Sequence, residues 1–459
     1  METSRTTIKV LGNCRLETPI APKLGDHALF LVGAAERVPV DNRLSTIQQH
    51  AGNADLMPAF ELAGPRNRIY FDPSKTRCGI VTCGGLCPGV NNVIQGLVRE
   101  LISGYGVRSV VGFRCGYQGF IARYRQTVID LTLDAVDGIQ DQGGTILGSS
   151  RGEQDPEEIV DCLERMGIQM LFVIGGDGSM RGALQIVAEI ERRGSRIAVV
   201  GIPKTIDNDL MYIDKSFGFD TAYSKAVEFI RSAHVEAKGA PNGVGLVKLM
   251  GRHSGFIACH AALASQDANF VLIPEVPFSL EGLWAALRRR LDQSGHAVIV
   301  AAEGAGQELF AATERECGTD ASGNATLRDV GCLLRDSLCA LARRDRFEMN
   351  LKYLDPSYAV RSVPATAPDA IFCYALARGA VHAAMAGNTA MMISLWHGQF
   401  VHVPMELAVS GRKQVDPLGY TWLSVLEATG QPPVIGEPLV ESAPPHWDLN
   451  GAGTLNATR

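Results

Sequence analysis

Two short runs in this chain hold the residue types that phosphoryl chemistry uses. The first is Gly175-Gly176-Asp177-Gly178-Ser179. Glycines let backbone N–H groups come close to a phosphate, and a helix N-terminus behind them adds positive potential. An aspartate among them repels phosphate, but serves well with a Mg²⁺ between the two. The second run is Pro203-Lys204-Thr205-Ile206-Asp207-Asn208-Asp209. One of its two carboxylates can take the proton of an attacking hydroxyl and the other can hold metal. Thr205 can bond the same hydroxyl. Each run also has a plainer reading, as a structural strand–helix turn and as a solvated Asx turn. Gly84-Gly85-Leu86-Cys87-Pro88-Gly89 and Met250-Gly251-Arg252 are two further candidates.

These runs cooperate only if strands bring them together. Met170-Leu171-Phe172-Val173-Ile174 is a β-rich apolar run, and Met180 to Arg193 carries Ala183, Leu184, Ile186, Val187 and Ile190 at helical spacing. That predicts strand, tight turn and helix around Asp177. Gly79-Ile80-Val81 predicts another strand, followed by a helix whose apolar face is Val90, Val93, Ile94, Leu97, Val98 and Leu101. Asp155-Pro156-Glu157-Glu158 marks a helix start that Gly167 ends. Strands are expected at Ser109–Phe113, Ile197–Ile202, Val244–Val247, Phe270–Ile273 and Ala297–Val300, with a helix at Leu283–Leu291. Uniformly apolar strands alternating with helices argue for parallel α/β sheets covered on both faces, in two lobes. The four runs, and Glu303 after Val298-Ile299-Val300-Ala301-Ala302, then fall at the C-terminal ends of strands, where open α/β sheets place ligands. Residues 1 to about 70 are weakly periodic, with one candidate strand at Ala28–Ala34, and a loose tail is expected after about 436.

Composition narrows the class. The chain has 459 residues, 46% hydrophobic and 20% charged, with a formal net charge of −6, which gives no reason to expect nucleic acid or an acidic membrane surface as partner. Its 11 cysteines are scattered, without zinc-ligand spacing, and suit a reducing cytoplasmic setting. No stretch approaches the roughly 20 apolar residues of a membrane span, and the first residues lack the apolar core of a signal peptide.

Gly-Gly-x-x-Pro-Gly-x-Asn, Gly-Gly-Asp-Gly-Ser, Pro-x-Thr-Ile-Asp-Asn-Asp and Met-Gly-Arg, in this order, closely resemble the motifs of the 6-phosphofructokinases over about residues 60 to 435. Ala63-Gly64-Pro65-Arg66, Tyr70-Phe71-Asp72-Pro73, Lys204 and Lys352-Tyr353-Leu354-Asp355-Pro356-Ser357-Tyr358 are similar to the long-chain plant and trypanosomatid type. The resemblance implies two Rossmann-like α/β lobes with mainly parallel sheets and an active site in the cleft between them. The nucleotide-binding lobe would be 71–218 with 360–408, and the sugar-phosphate lobe 219–359 with 409–435. Residues 1–70 would be an N-terminal extension and 436–459 a tail. It implies phosphoryl transfer from MgATP to O1 of fructose 6-phosphate, the committed step of glycolysis, by an allosteric homotetramer or at least a dimer. Asp207 would be the general base, assisted by Thr205 and Arg252. Asp177 and Asp209 would hold Mg²⁺, directly or through water. Gly85, Tyr117, Arg151, Gly176, Asp177, Gly178, Ser179 and Lys204 would line the nucleotide site. Thr205, Asp207, Asp209, Met250, Gly251, Arg252 and Glu303 would serve the sugar phosphate, Tyr358 and Arg361 would grip its 6-phosphate, and Lys352 would reach it from a neighbouring subunit.

Two alternatives stay open: a pyrophosphate donor, and a catalytically weak member that senses nucleotide or sugar phosphate. Family members that use pyrophosphate carry an aspartate where this chain has Gly178, whereas a lysine like Lys204 occurs with either donor, so ATP is expected. No arginine stands near Gly243, where short bacterial enzymes place a phosphate-binding one, leaving Lys238, Lys248 or another basic residue for that contact. Asn92 replaces the aspartate usual in the long-chain type.

Overall fold

Apolar runs between glycine turns become the strands of two sheets. The computed structural model describes residues 3–24, 30–33, 35–53, 56–310, 318 and 326–436. In chain order the strands are β1 (Arg37–Pro39), β2 (Ala59–Leu62), β3 (Arg77–Thr82), β4 (Ser109–Phe113), β5 (Val128–Asp130), β6 (Met170–Gly175) and β7 (Ala198–Pro203). Then come β8 (Gly243–Leu249), β9 (Phe270–Leu272), β10 (His296–Ala302) and β11 (Asn350–Leu354), before the chain returns with β12 (Met391–Trp396) and β13 (Gln399–Pro404). Two further two-stranded ribbons, Lys9–Val10 with Asn388–Thr389 and Leu16–Glu17 with Arg68–Ile69, fasten the N-terminal region.

The larger sheet has nine strands in the order β1-β2-β13-β12-β7-β6-β3-β4-β5. Its middle, β12 to β4, is parallel, and antiparallel strands flank it on both sides. The smaller sheet, β9-β10-β8-β11, is parallel throughout. The central strands β3, β6, β7, β8 and β10 are almost wholly buried, as both-face coverage by helices requires.

Each expected strand in the α/β region occurs within a residue or two of its place. The N-terminal region differs. Residues 28, 29 and 34 of the expected strand Ala28–Ala34 lie outside the described residues, and 30–33 form no strand. Instead β1 and β2 extend the larger sheet along β13, with His402 opposite Glu61. Of the expected tail, residues 437–459 lie outside the described residues.

Register places the chemistry. Thr82 of β3 lies opposite Ile174 of β6, and Gly175 of β6 opposite Pro203 of β7. The loops after these three strands therefore emerge side by side. In the smaller sheet Leu249 lies opposite Ala302, which brings Met250-Gly251-Arg252 beside Glu303; the Glu303 N–H donates to the Leu249 carbonyl at 2.8 Å.

Candidate active site

The helix Asp177–Arg193 begins at Asp177 with Gly176 as its N-cap, earlier than the expected Met180, so Asp177, Gly178 and Ser179 form its first turn. Their N–H groups are the ones a helix leaves without intrahelical partners. They face a cavity of about 520 Å³ that Gly84, Gly85, Tyr117, Arg151, Gly176, Lys204, Thr205, Asp207, Asp209, Met250, Arg252 and Arg361 also line. Gly84 has φ +83°, the left-handed region glycine tolerates. A Cβ on Gly85 would sit 3.3 Å from Arg361 Nη1 and 3.5 Å from Arg151 Nη2, so both guanidinium groups crowd this turn. A Cβ on Gly178 would meet nothing within 4 Å, which leaves that side of the helix turn open. The buried Tyr117 donates its hydroxyl to the Ser179 carbonyl at 2.6 Å and braces the turn from behind.

The Lys204–Asp209 loop is held by its own polar groups. Thr205 Oγ1 donates to Asp209 Oδ1 at 2.9 Å and accepts the Asp207 N–H at 3.2 Å. Asn208, at φ +56°, accepts the Ser216 N–H at 2.9 Å, and Ser254 Oγ donates to the Asp207 carbonyl at 3.0 Å. The Asp207 backbone is thereby held at both its N–H and its carbonyl, while the side-chain Oδ1 stays buried without a hydrogen-bond partner. Burial, with the neighbouring charges of Asp209 and Glu303, holds its carboxyl well above the usual range. Burial also raises Asp209 and Glu303. Once ionised, a carboxylate so placed is a stronger base than a solvated one, and its unpartnered oxygen can take the proton of a bound hydroxyl. Lys204 is buried and donates to the Gly85 carbonyl at 2.6 Å, so its ammonium supports the first glycine turn.

Among the described residues no cluster of three or more His, Cys, Asp or Glu could hold a metal by itself. Asp177 and Asp209 both face one guanidinium, that of Arg412, with oxygens 3.5 and 3.9 Å from it. Two carboxylates lining one cavity fit Mg²⁺, which keeps several waters and takes one or two protein carboxylates plus substrate phosphates.

The second lobe is less completely assembled. Gly251 does not line the cavity; at φ +124° with Ser254 close by, it shapes the Met250–Arg252 turn. Glu303 does not line the cavity either, but is near enough to Asp207 for its charge to act there. Lys352 is exposed on β11, and Tyr358, 75% exposed, packs its ring against Arg361 at 5.0 Å outside the cavity. Of the two lysines considered near Gly243, Lys238 is exposed at a helix end and Lys248 pairs with Asp355 at 2.8 Å and Asp329 at 3.2 Å. Neither lines the cavity.

The family model described as "PFK: Phosphofructokinase" matches residues 77–384, two thirds of the chain and every loop of this cavity except the one bearing Arg412. The chain belongs to the phosphofructokinase family. It is 50% identical over 438 residues to the ATP-dependent 6-phosphofructokinase of Amycolatopsis methanolica, covering 94% of this chain and 95% of that protein. To the enzyme of that name from Borreliella burgdorferi it is 51% identical over 437 residues, covering 93% and 96%. To that from Trypanosoma brucei brucei it is 49% identical over 372 residues, covering 80% and 76%. Among solved structures, the pyrophosphate-dependent phosphofructokinase of Marinobacter aquaeolei has the same fold, with TM-score 0.64 and 21% identity over 77% of this chain and 91% of that one.

Two basic residues of this phosphofructokinase escaped the sequence reading. Arg181 reaches Asp177 at 3.2 Å and donates to the Val409 carbonyl at 2.7 Å. Arg412 comes from the far end of the chain. Arg181 stands one helical turn after Asp177, an i,i+4 spacing that could have flagged it. Arg412 has no comparable local signal.

Proposed function

We propose that this protein transfers the γ-phosphoryl group of MgATP to O1 of fructose 6-phosphate, giving fructose 1,6-bisphosphate. One observation carries the reading: Asp207, whose Oδ1 is buried without a partner, lines the same cavity as the N-terminal turn at Gly176–Ser179. Asp207 accepts the proton of the sugar's 1-hydroxyl as the bond to phosphorus forms, with Thr205 orienting the loop and Arg252 facing the transferring group. The N–H groups of Gly178 and Ser179, Arg151 and the Gly85 turn hold the nucleotide phosphates, and Tyr117 backs that turn. Asp177 and Asp209 would hold Mg²⁺, which when bound supplies positive charge to the phosphate oxygens. Positioning and charge neutralisation then do most of the catalysis.

Met250, Gly251 and Glu303 serve the sugar, and Arg361, Tyr358 and Lys352 its 6-phosphate. Lys352 stands exposed, as a residue that completes a neighbouring subunit's site would, which favours a homodimer or homotetramer open to allosteric control. The lobes divide at 71–218 with 360–408 and 219–359 with 409–435. No described helix is long and apolar enough to cross a membrane; the scattered thiols favour the cytoplasm.

ATP is favoured over pyrophosphate because the side of the turn at Gly178 is open and the Lys204 ammonium is taken up by the Gly85 carbonyl. Turnover of fructose 6-phosphate with ATP or with pyrophosphate, each with Mg²⁺, tests the reading. A higher kcat/KM with pyrophosphate, or no turnover with either, rejects it.

A further inference from the structure

Arg412 lines the cavity, in a segment that returns to the site after β13. Its guanidinium faces two acids at once: Nη2 is 3.5 Å from Asp177 Oδ2 and Nη1 is 3.9 Å from Asp209 Oδ2. The backbone around it is pinned to both halves of the site. The Lys413 N–H donates to the Asp209 carbonyl at 2.8 Å. Gln414 Nε2 donates to the His253 carbonyl at 2.6 Å, next to Arg252. The Val415 N–H donates to Glu275 Oε1 at 2.8 Å, and the same oxygen accepts the Gly255 N–H at 2.9 Å. A guanidinium so placed is set by the fold, and it stands against the oxygens that a divalent cation would use.

We propose that Arg412 is a positioning residue that serves as an internal cation, holding Asp177 and Asp209 before the nucleotide binds and keeping a free divalent cation off them, so that metal enters with the nucleotide. This rests on the phosphoryl-transfer reading. A monovalent guanidinium and a divalent ion repel strongly at one pair of carboxylates. Metal alone must displace Arg412 at a cost. Metal carried by a polyphosphate brings its own negative charge, and a displaced arginine in the same cavity can pair with it, since guanidinium matches phosphate oxygens well. Arg181 also faces Asp177, and its link to the Val409 carbonyl steadies the same segment.

The test is titration of Mn²⁺ alone into the nucleotide-free, full-length protein, followed by the paramagnetic resonance of free Mn²⁺. Arg412→Gln should bind Mn²⁺ about tenfold or more tighter than wild type, because a competing unit charge has gone. Arg412→Lys, which keeps the charge but cannot span both acids, should tighten binding by about threefold. Glu275→Ala, which removes the oxygen that accepts both the Val415 and the Gly255 N–H and so loosens the segment, should leave Mn²⁺ affinity within about twofold, since the guanidinium facing the two acids is still present. Unchanged or weaker Mn²⁺ binding in Arg412→Gln, or in Arg412→Lys where Arg412→Gln does not fold, overturns the proposal. Equal tightening in Glu275→Ala also overturns it, by assigning the effect to a looser segment. Neither sugar nor nucleotide is present, so failure in the fructose 6-phosphate assay would remove the substrate assignment and leave this result readable.

Discussion

The two sides of the cleft are built on different plans. The side proposed to hold the donor is made by the adjacent parallel strands β3, β6 and β7, whose loops emerge together and meet a helix N-terminus. Its groups are backbone N–H donors, glycines and short acids, all within one chain. The side proposed to hold the acceptor is made by side chains from the ends of β8 and β10 and from the loop after β11. Met250, Arg252 and Arg361 line the cavity, whereas Lys352 and Tyr358 are exposed and do not line it. Backbone donors are fixed by the fold before any ligand arrives. Long cationic side chains on an open loop are ordered by what they bind, and can be contributed by another subunit. The donor side should therefore fail abruptly when altered, and the acceptor side by degrees.

The largest effect should come where the two sides meet. Asp207→Asn keeps size and hydrogen bonding but removes the proton acceptor, and kcat should fall about 10²–10⁴-fold, the usual cost of losing a general base. Affinity for ATP, measured by equilibrium titration, should stay close to wild type. A mutant turning over within threefold of wild type would place the base elsewhere.

Next in size, on the donor side, is Gly178→Asp. The structure has room for the new side chain, so the fold should survive, but its carboxylate would face the nucleotide phosphates at the helix turn. An unpaired charge so placed costs about 3 kcal/mol or more, a loss above a hundredfold in kcat/KM for ATP. An ATP KM unchanged in this mutant would mean that the nucleotide does not pass this turn.

Why the donor side was legible in the sequence and the acceptor side much less so follows from the same difference. Met170–Ile174 and the glycines after it are local signals: an apolar run of strand length, then residues that permit a tight turn. The helix start at Asp177 was missed because its N-cap, Gly176, offers no side-chain mark. The helix Ala367–Met385 was missed because it is buried on nearly all sides and so lacks an amphipathic stripe. The β12–β13 hairpin had a usable cue in His397-Gly398, both at positive φ, as a two-residue turn of this kind needs. Arg412 could not be read at all. Its place depends on β13 returning to the large sheet and on the segment then crossing to the other lobe, and no spacing within Gly411-Arg412-Lys413 encodes that. Tyr358 and Arg361 were reached through family resemblance alone, and their own surroundings in the sequence are those of surface residues.

On the acceptor side, Arg361→Ala should raise the KM for fructose 6-phosphate by roughly tenfold to a hundredfold, as loss of a charge-assisted contact of about 1.5–3 kcal/mol does. The KM for ATP should move less than threefold. Because Arg361 also lies against the Gly85 turn, this measurement shows which side of the cleft it serves. Equal losses for both substrates would move it to the donor side.

The smallest effect, and the one that bears most directly on the comparison, concerns Lys352. It is exposed on β11 and does not line the cavity of its own chain. Lys352→Ala should raise the KM for fructose 6-phosphate by only about threefold to tenfold, the scale of one exposed charge contact of roughly 0.7–1.4 kcal/mol. That change alone does not say whose site Lys352 serves, but a mixture of two variants does. When Lys352→Ala and Asp207→Asn chains are unfolded and refolded together, hybrids form. If Lys352 reaches across a two-fold interface, each hybrid has one site with both residues intact and one with neither. Random pairing then makes about a quarter of all sites wild-type. The mixture should recover a component with wild-type KM at about a quarter of wild-type kcat. If Lys352 serves its own subunit, every site in the mixture still lacks one of the two residues. No wild-type component then appears, and the acceptor side would have to be completed within a single chain.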